Sequence, residues 1–79
     1  MRVTTLFFGA VSDIVGMRES SVDVPEGSTA TDVLSRLCES HPEMKRKNIL
    51  IAIDENHATG DEILAEGNSV AFFTAVSGG

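Results

Sequence analysis

The chain has 79 residues and a formal net charge of −6, from twelve acidic and six basic side chains. One domain of this size buries only about 60% of the surface its unfolded chain exposes, so little interior is left for an enclosed active site. The acidic balance argues against nucleic acid as a partner, because phosphates call for a basic stripe; it suits docking on a basic protein surface instead. With 42% hydrophobic residues the chain is expected to fold rather than stay disordered. The lone cysteine, Cys38, permits neither an internal disulfide nor a structural zinc site, which fits a reducing compartment. The longest apolar run, Leu6 to Val11, is too short to cross a membrane and is followed by Asp13. We read it as a strand rather than a leader, and expect a cytoplasmic protein with no membrane partner.

Arg2 to Phe8 is rich in β-branched and aromatic residues and predicts a first strand. Gly9 breaks it, and Ala10 to Val15 forms one short helical turn closed by Gly16. Arg18 to Val24, with Val22 and Val24 on one face, predicts a second strand that pairs back on the first. Pro25-Glu26-Gly27 is a turn. Thr29 followed three residues later by Asp32 matches a capping box and opens the main helix. Ala30, Val33, Leu34, Leu37 and Cys38 share its apolar face, and Pro42 ends it near His41. The basic triplet Lys45-Arg46-Lys47 reads as a solvated turn.

Ile49 to Ile53 is a compact apolar strand, and Asp54-Glu55-Asn56 is a turn. Asp61 to Gly67 predicts a short helix or turn around Ile63 and Leu64. Val70 to Phe73 is the last strand. One helix covers one face of a sheet, so the fold class is α+β: a roll with a mixed sheet and one main helix on one face. With the first and last strands central, the topology matches the ubiquitin-like β-grasp. Residues 1–79 form a single domain, with 74–79 expected as a flexible tail. Val3, Thr5, Phe7, Ile49, Ile51, Ile53, Val70 and Phe72 are expected to face the helix. Leu6, Phe8, Leu50, Ala52 and Phe73 then point away, as an apolar stripe suited to binding.

A free-standing enzyme finds little support. No phosphate-binding loop or dinucleotide fingerprint is present. His41 and His57 stand far apart, with no cysteine or acid at ligand spacing, and read as surface or helix-end residues. Cys38 on the apolar helix face reads as a small buried hydrophobe. Asp54, Glu55, Asp61 and Glu62 do not have the spacing of a calcium loop and read as a solvated acidic face. No metal site is expected.

The information lies in the last residues, Thr74-Ala75-Val76-Ser77-Gly78-Gly79. With glycine at about 7% of residues, a closing Gly-Gly arises by chance in roughly 0.5% of chains, so the pair alone is a weak signal. Its context, directly after a strand, is more telling. Taken as the chain's terminus, a glycine carboxylate has no side chain to crowd it and threads a narrow channel in almost any backbone conformation. An ATP-dependent enzyme can adenylate such a carboxylate, and a sulfur nucleophile then displaces AMP to leave a thiocarboxylate.

Leu6-Phe7-Phe8-Gly9-Ala10-Val11, Val15-Gly16 and Val70 to Gly79 together resemble the MoaD family, the small subunits of molybdopterin synthase, and the likeness covers the whole chain. Asp61, Leu64 and Gly67 stand where the family and its ubiquitin-like relatives place an acid, a leucine and a turn glycine. The resemblance implies a sulfur carrier, not an enzyme by itself. Gly79 would be the reactive end and Gly78 its clearance, with Phe73 and Val76 seating the tail against partners; Leu6, Phe8 and Leu50 of the outward stripe, and Ser77, complete the expected partner-binding set. It implies an adenylating enzyme of the ubiquitin-activating type that consumes ATP, a sulfur-donor protein, and the large synthase subunit, where the sulfur passes to a cyclic pyranopterin monophosphate. No cofactor is expected on the chain itself. Thr74 and Ala75 replace the family's two prolines, Ser12 a common basic residue, and Asn68 and Ser69 common acids. Three alternatives stand beside this reading: a carrier for thiamine, cysteine or tRNA thiolation, a ubiquitin-like protein modifier, and an interaction module with an inert tail.

Overall fold

A computed structural model describes residues 1–75. Eight elements follow in order: β1 Arg2–Phe7, α1 Gly9–Val15, β2 Glu19–Asp23, α2 Ala30–Ser40, a 3₁₀ turn Pro42–Arg46, β3 Ile49–Ile53, β4 Asn56–Ala58 and β5 Ser69–Thr74. The sheet order is β2-β1-β5-β3-β4. β1 and β5 run parallel, and the other neighbours antiparallel. The first and last strands thus lie inside a mixed sheet, which makes the α+β roll a β-grasp.

Alternation in the strands builds the core. Val3, Thr5 and Phe7 of β1, Ile51 of β3, and Val70 and Phe72 of β5 are buried on one face. Thr5 is the one polar side chain among them, and its hydroxyl donates to the Ser20 carbonyl at 3.1 Å, so its burial is compensated. Above this face lie Ala30 and Val33 of α2, Val11 of α1 and Met44 of the 3₁₀ turn, all buried.

The capping box is present in both directions. Thr29 Oγ1 accepts from the Asp32 N–H at 3.2 Å, and Asp32 Oδ2 accepts from the Thr29 N–H at 2.9 Å. Such a cap stabilises a helix by about 1 kcal/mol. At the other end the His41 N–H donates to the Leu37 carbonyl at 2.7 Å, and Pro42 starts the 3₁₀ turn. Gly16 closes α1 in the left-handed region, at φ 84°. No helix among the described residues is long and apolar enough to cross a membrane.

Five particulars depart from the sequence expectations. Cys38 is only half-buried, at the edge of the core rather than inside it. Asn56 leaves the turn and begins a fifth strand. Asp54 and Glu55 adopt positive φ, 48° and 71°, and form the two-residue connection of the β3–β4 hairpin. The segment around Ile63 is extended, not helical: Ile63 bridges to Thr29 and is exposed, while Leu64 is buried and its N–H donates to the Ser28 carbonyl. A turn at Glu66 and Gly67 follows. Met44, in the stretch read as a mere turn, is a core residue. Thr74 pairs with Ile49 and so ends β5 rather than starting a tail.

Two carboxylates hold the long β4–β5 connection in place. Asp54 accepts from the Ser69 N–H at 2.8 Å and the Asn68 amide at 2.7 Å. Glu62 accepts from the N–H groups of Thr59, at 3.0 Å, and Gly60, at 2.8 Å. Gly60 is buried at φ 104°, and a Cβ there would run into the Thr31 hydroxyl. Backbone donors, led by the Thr59 N–H, pull the Glu62 carboxyl down from 4.5 to about 2. Between those two values the unfolded chain binds more protons at this site than the folded one, so stability rises with pH there. The Glu62 contribution is complete above about 4.5 and gone below about 2. Urea midpoints of the wild type and Glu62→Gln are therefore expected to differ at neutral pH and to converge as the pH falls through that window.

Candidate functional site

The face of the sheet away from α2 carries the candidate site. Strand register sets its composition. Leu6 stands opposite Ala71, Ala71 opposite Ala52, and Leu50 opposite Phe73. The Phe8 N–H donates to the Phe72 carbonyl at 3.2 Å, which draws Phe8 alongside the end of β5. Phe8 is 52% exposed, a large share for a phenylalanine.

Leu6, Phe8, Ala52, Ala71 and Phe73 line a shallow groove of about 580 Å³, with Asp54, Glu55 and Ser69 at one end. A second recess, of about 350 Å³, lies between Phe8, Gly9, Phe73 and Thr74. It borders the end of β5, from which the chain continues into Ala75. Hydrogen bonds with Ser69 and Asn68 occupy the Asp54 carboxylate, so Glu55 is the freer charge at that end. Glu19, opposite Leu6 on β2, supplies another acid at the rim. The result is an apolar strip edged by negative charge, the character expected of a surface that docks on an apolar patch ringed by bases.

The structure brings Leu6, Phe8, Leu50 and Phe73 together as anticipated. Val76, Ser77, Gly78 and Gly79 lie outside the described residues. Two further members were not anticipated. Ala71 falls on this face by the same alternation that buries Val70 and Phe72, so the signal was available. His57 sits opposite Ala52 and meets Phe73 edge-on, with ring centroids 5.9 Å apart; nothing in the local pattern of Asn56-His57-Ala58 announces a strand or that contact. Among the described residues, no three His, Cys, Asp or Glu side chains stand together as metal ligands would.

The chain is 30% identical to the molybdopterin synthase sulfur carrier subunit of Caenorhabditis elegans, over 98% of this chain and 96% of that one. It is 24% identical to the protein of the same name from Chlamydomonas reinhardtii, over the whole of both chains. Among solved structures, SAMP1 of Haloferax volcanii superposes with a TM-score of 0.84 at 27% identity, covering 100% of each chain. The model of the ThiS family matches residues 5–79, from the second half of β1 through the closing glycines. The chain belongs to the ThiS family.

Proposed function

We propose that this chain is a sulfur carrier, the small subunit of a molybdopterin synthase, working through a thiocarboxylate on Gly79. The observation that carries the reading is the apolar strip Leu6-Phe8-Ala71-Phe73, which adjoins the end of the strand that leads to Gly78-Gly79. A partner seated on that strip has the root of the tail beside it. The full-length likeness to sulfur carrier subunits supports the same role.

The Gly79 carboxylate attacks the α-phosphorus of ATP on an adenylating enzyme, and pyrophosphate leaves. Sulfur delivered at the sulfide level attacks the acyl carbon. A C–S bond forms, the C–O bond to AMP breaks, and AMP departs with the electron pair. The resulting thiocarboxylate enters the large subunit, where its sulfur attacks an electrophilic carbon of the pterin acceptor: a C–S bond forms as the bond from that carbon to a leaving-group oxygen breaks, and the oxygen departs with the electron pair. Water then cleaves the acyl C–S bond and restores the carboxylate. The carrier itself supplies no acid, base or metal to these steps. It supplies a docking face and an uncrowded terminus, because glycine at 78 and 79 leaves the backbone free to fit a narrow channel.

Incubation with ATP, a sulfide source and the host's adenylating enzyme tests the reading by intact mass. A gain equal to the exchange of one oxygen for sulfur is expected, and deletion of Gly79 is expected to abolish it. An unchanged mass, with an enzyme that thiocarboxylates a related carrier, would sink it.

The likeness to SAMP1, a small archaeal modifier protein, favours a second reading. A lysine amine attacks the same acyl adenylate and forms an isopeptide bond with loss of AMP. Isopeptide-linked adducts in an extract of the host, absent when Gly79 is deleted, would support it.

A further inference from the structure

The opposite side of the molecule holds a second groove, between α2 and the edge strand β2. Its volume is about 210 Å³, and Met17, Val22, Leu37, Ser40, Arg36 and His41 are among its lining residues. Among the described residues no acid lines it, in a chain with twelve acids and six bases. Met17 is 47% exposed, an apolar side chain left open at the rim.

β2 borders the groove with one edge unpaired. The Phe7 N–H donates to Arg18, and Met1 and Val24 exchange both of their backbone bonds. In an antiparallel pair such residues alternate with ones whose groups point the other way. Ser20, Val22 and Val24 therefore face β1, and Glu19, Ser21 and Asp23 turn their N–H and C=O groups outward. The Asp23 carbonyl already accepts a long bond from Arg36 Nη1, at 3.5 Å. Among the described residues, the backbone groups of Glu19 and Ser21 have no protein partner.

We infer that this edge and groove take an extended segment of another protein by strand addition. The guest's alternate side chains are apolar toward Val22 and Leu37, with an acid reaching Arg36 and His41. Its backbone bonds Ser21, while its other face carries a base beside Glu19; the Asp23 carboxylate is already paired with Arg2 at 3.1 Å. Strand addition takes affinity from the main chain and selectivity from pockets for alternate side chains, and both parts are present here. Charge selects the guest. A second copy of this chain, paired antiparallel about Ser21, would turn Ser20, Val22 and Val24 toward the groove and bring no acid to Arg36 and His41. The groove lies across the sheet from the Leu6–Phe73 strip, and the two sites meet at Glu19, on the rim of that strip.

The test is NMR titration of the 15N-labelled chain with the blocked peptide Thr-Val-Lys-Val-Lys-Asp. Saturable shifts along β2 and the C-terminal half of α2 are expected, with the Ser21 amide gaining protection from solvent exchange. Arg36→Glu is expected to weaken the peptide on the order of tenfold, and replacing the peptide's Asp by Lys to restore binding to that variant. Ser21→Pro, which removes the outward N–H at an edge position where proline is tolerated, is expected to weaken both peptides. Absence of saturable binding, shifts confined to the Leu6–Phe73 strip, or equal affinity for the wild type and Arg36→Glu would overturn the proposal. Protection of Ser21 that grows with protein concentration alone would overturn it too, in favour of self-pairing.

Discussion

Replacing Phe72 with alanine is expected to remove about 3–5 kcal/mol of folding stability. Phe72 has no exposed surface and sits on β5, the middle strand, between β1 and β3. Its ring stacks on Phe7 with centroids 6.2 Å apart. Truncating a buried phenylalanine costs about 3–5 kcal/mol, from lost apolar burial and from the cavity left behind. A domain of this length has a total stability of about 4–12 kcal/mol. The loss is therefore a large share of the whole, and the strands that flank β5 lose their common neighbour with it. Urea denaturation followed by circular dichroism would measure the change. A loss under about 1 kcal/mol would show that the core collapses around the gap at little cost.

Phe73→Ala, one residue further along, is expected to do the opposite: keep the fold and lose the partner. Phe73 points to the other face and is only half-buried, against Leu50, His57 and the groove. Part of its surface is already in water, so truncation removes less burial than at Phe72. At the centre of a docked strip, by contrast, an aromatic anchor is worth about 2–4 kcal/mol of binding free energy. Calorimetric titration against the large subunit should show affinity weakened roughly 30-fold to 1,000-fold. The melting transition should stay cooperative. Unchanged affinity would move the docking surface away from this strip and would leave the chemistry of Gly79 to be judged by mass alone. The contrast between adjacent residues of one strand is the sharper test, because alternation alone separates their roles.

A large part of the fold was legible in the residues. The capping box at Thr29 and Asp32, the stop at Pro42 and the alternation in β1, β3 and β5 are local signals, each readable within a few residues. The outward strip followed from the same alternation: once Val70 and Phe72 are inside, Phe73 is outside, and Ala71 with it. Local pattern failed where a residue's state depends on what lies across the sheet or above it. β4 is three residues with one apolar side chain, and pairing with β3 makes it a strand. Met44 is in the core because the 3₁₀ turn carries it over the sheet, not because Pro42 to Arg46 has an apolar face. The stretch around Leu64 extends because its backbone bonds Ser28 and bridges Thr29, partners more than thirty residues earlier in the chain.

The sequence by itself determined the size of the core, the acidic character, the main helix with both its ends, the inward and outward sets of three strands, and the Gly78-Gly79 pair. These rest on composition, on periodicity and on capping chemistry that acts within four residues. Tertiary structure alone decided the neighbours. It put Phe8 beside Phe73 and His57 against its ring. It tied Asp54 and Glu62 to backbone donors of the β4–β5 connection, and left the outer edge of β2 open beside a groove without acids. Such contacts join residues distant in sequence, and their strength comes from geometry that exists only after the strands have paired.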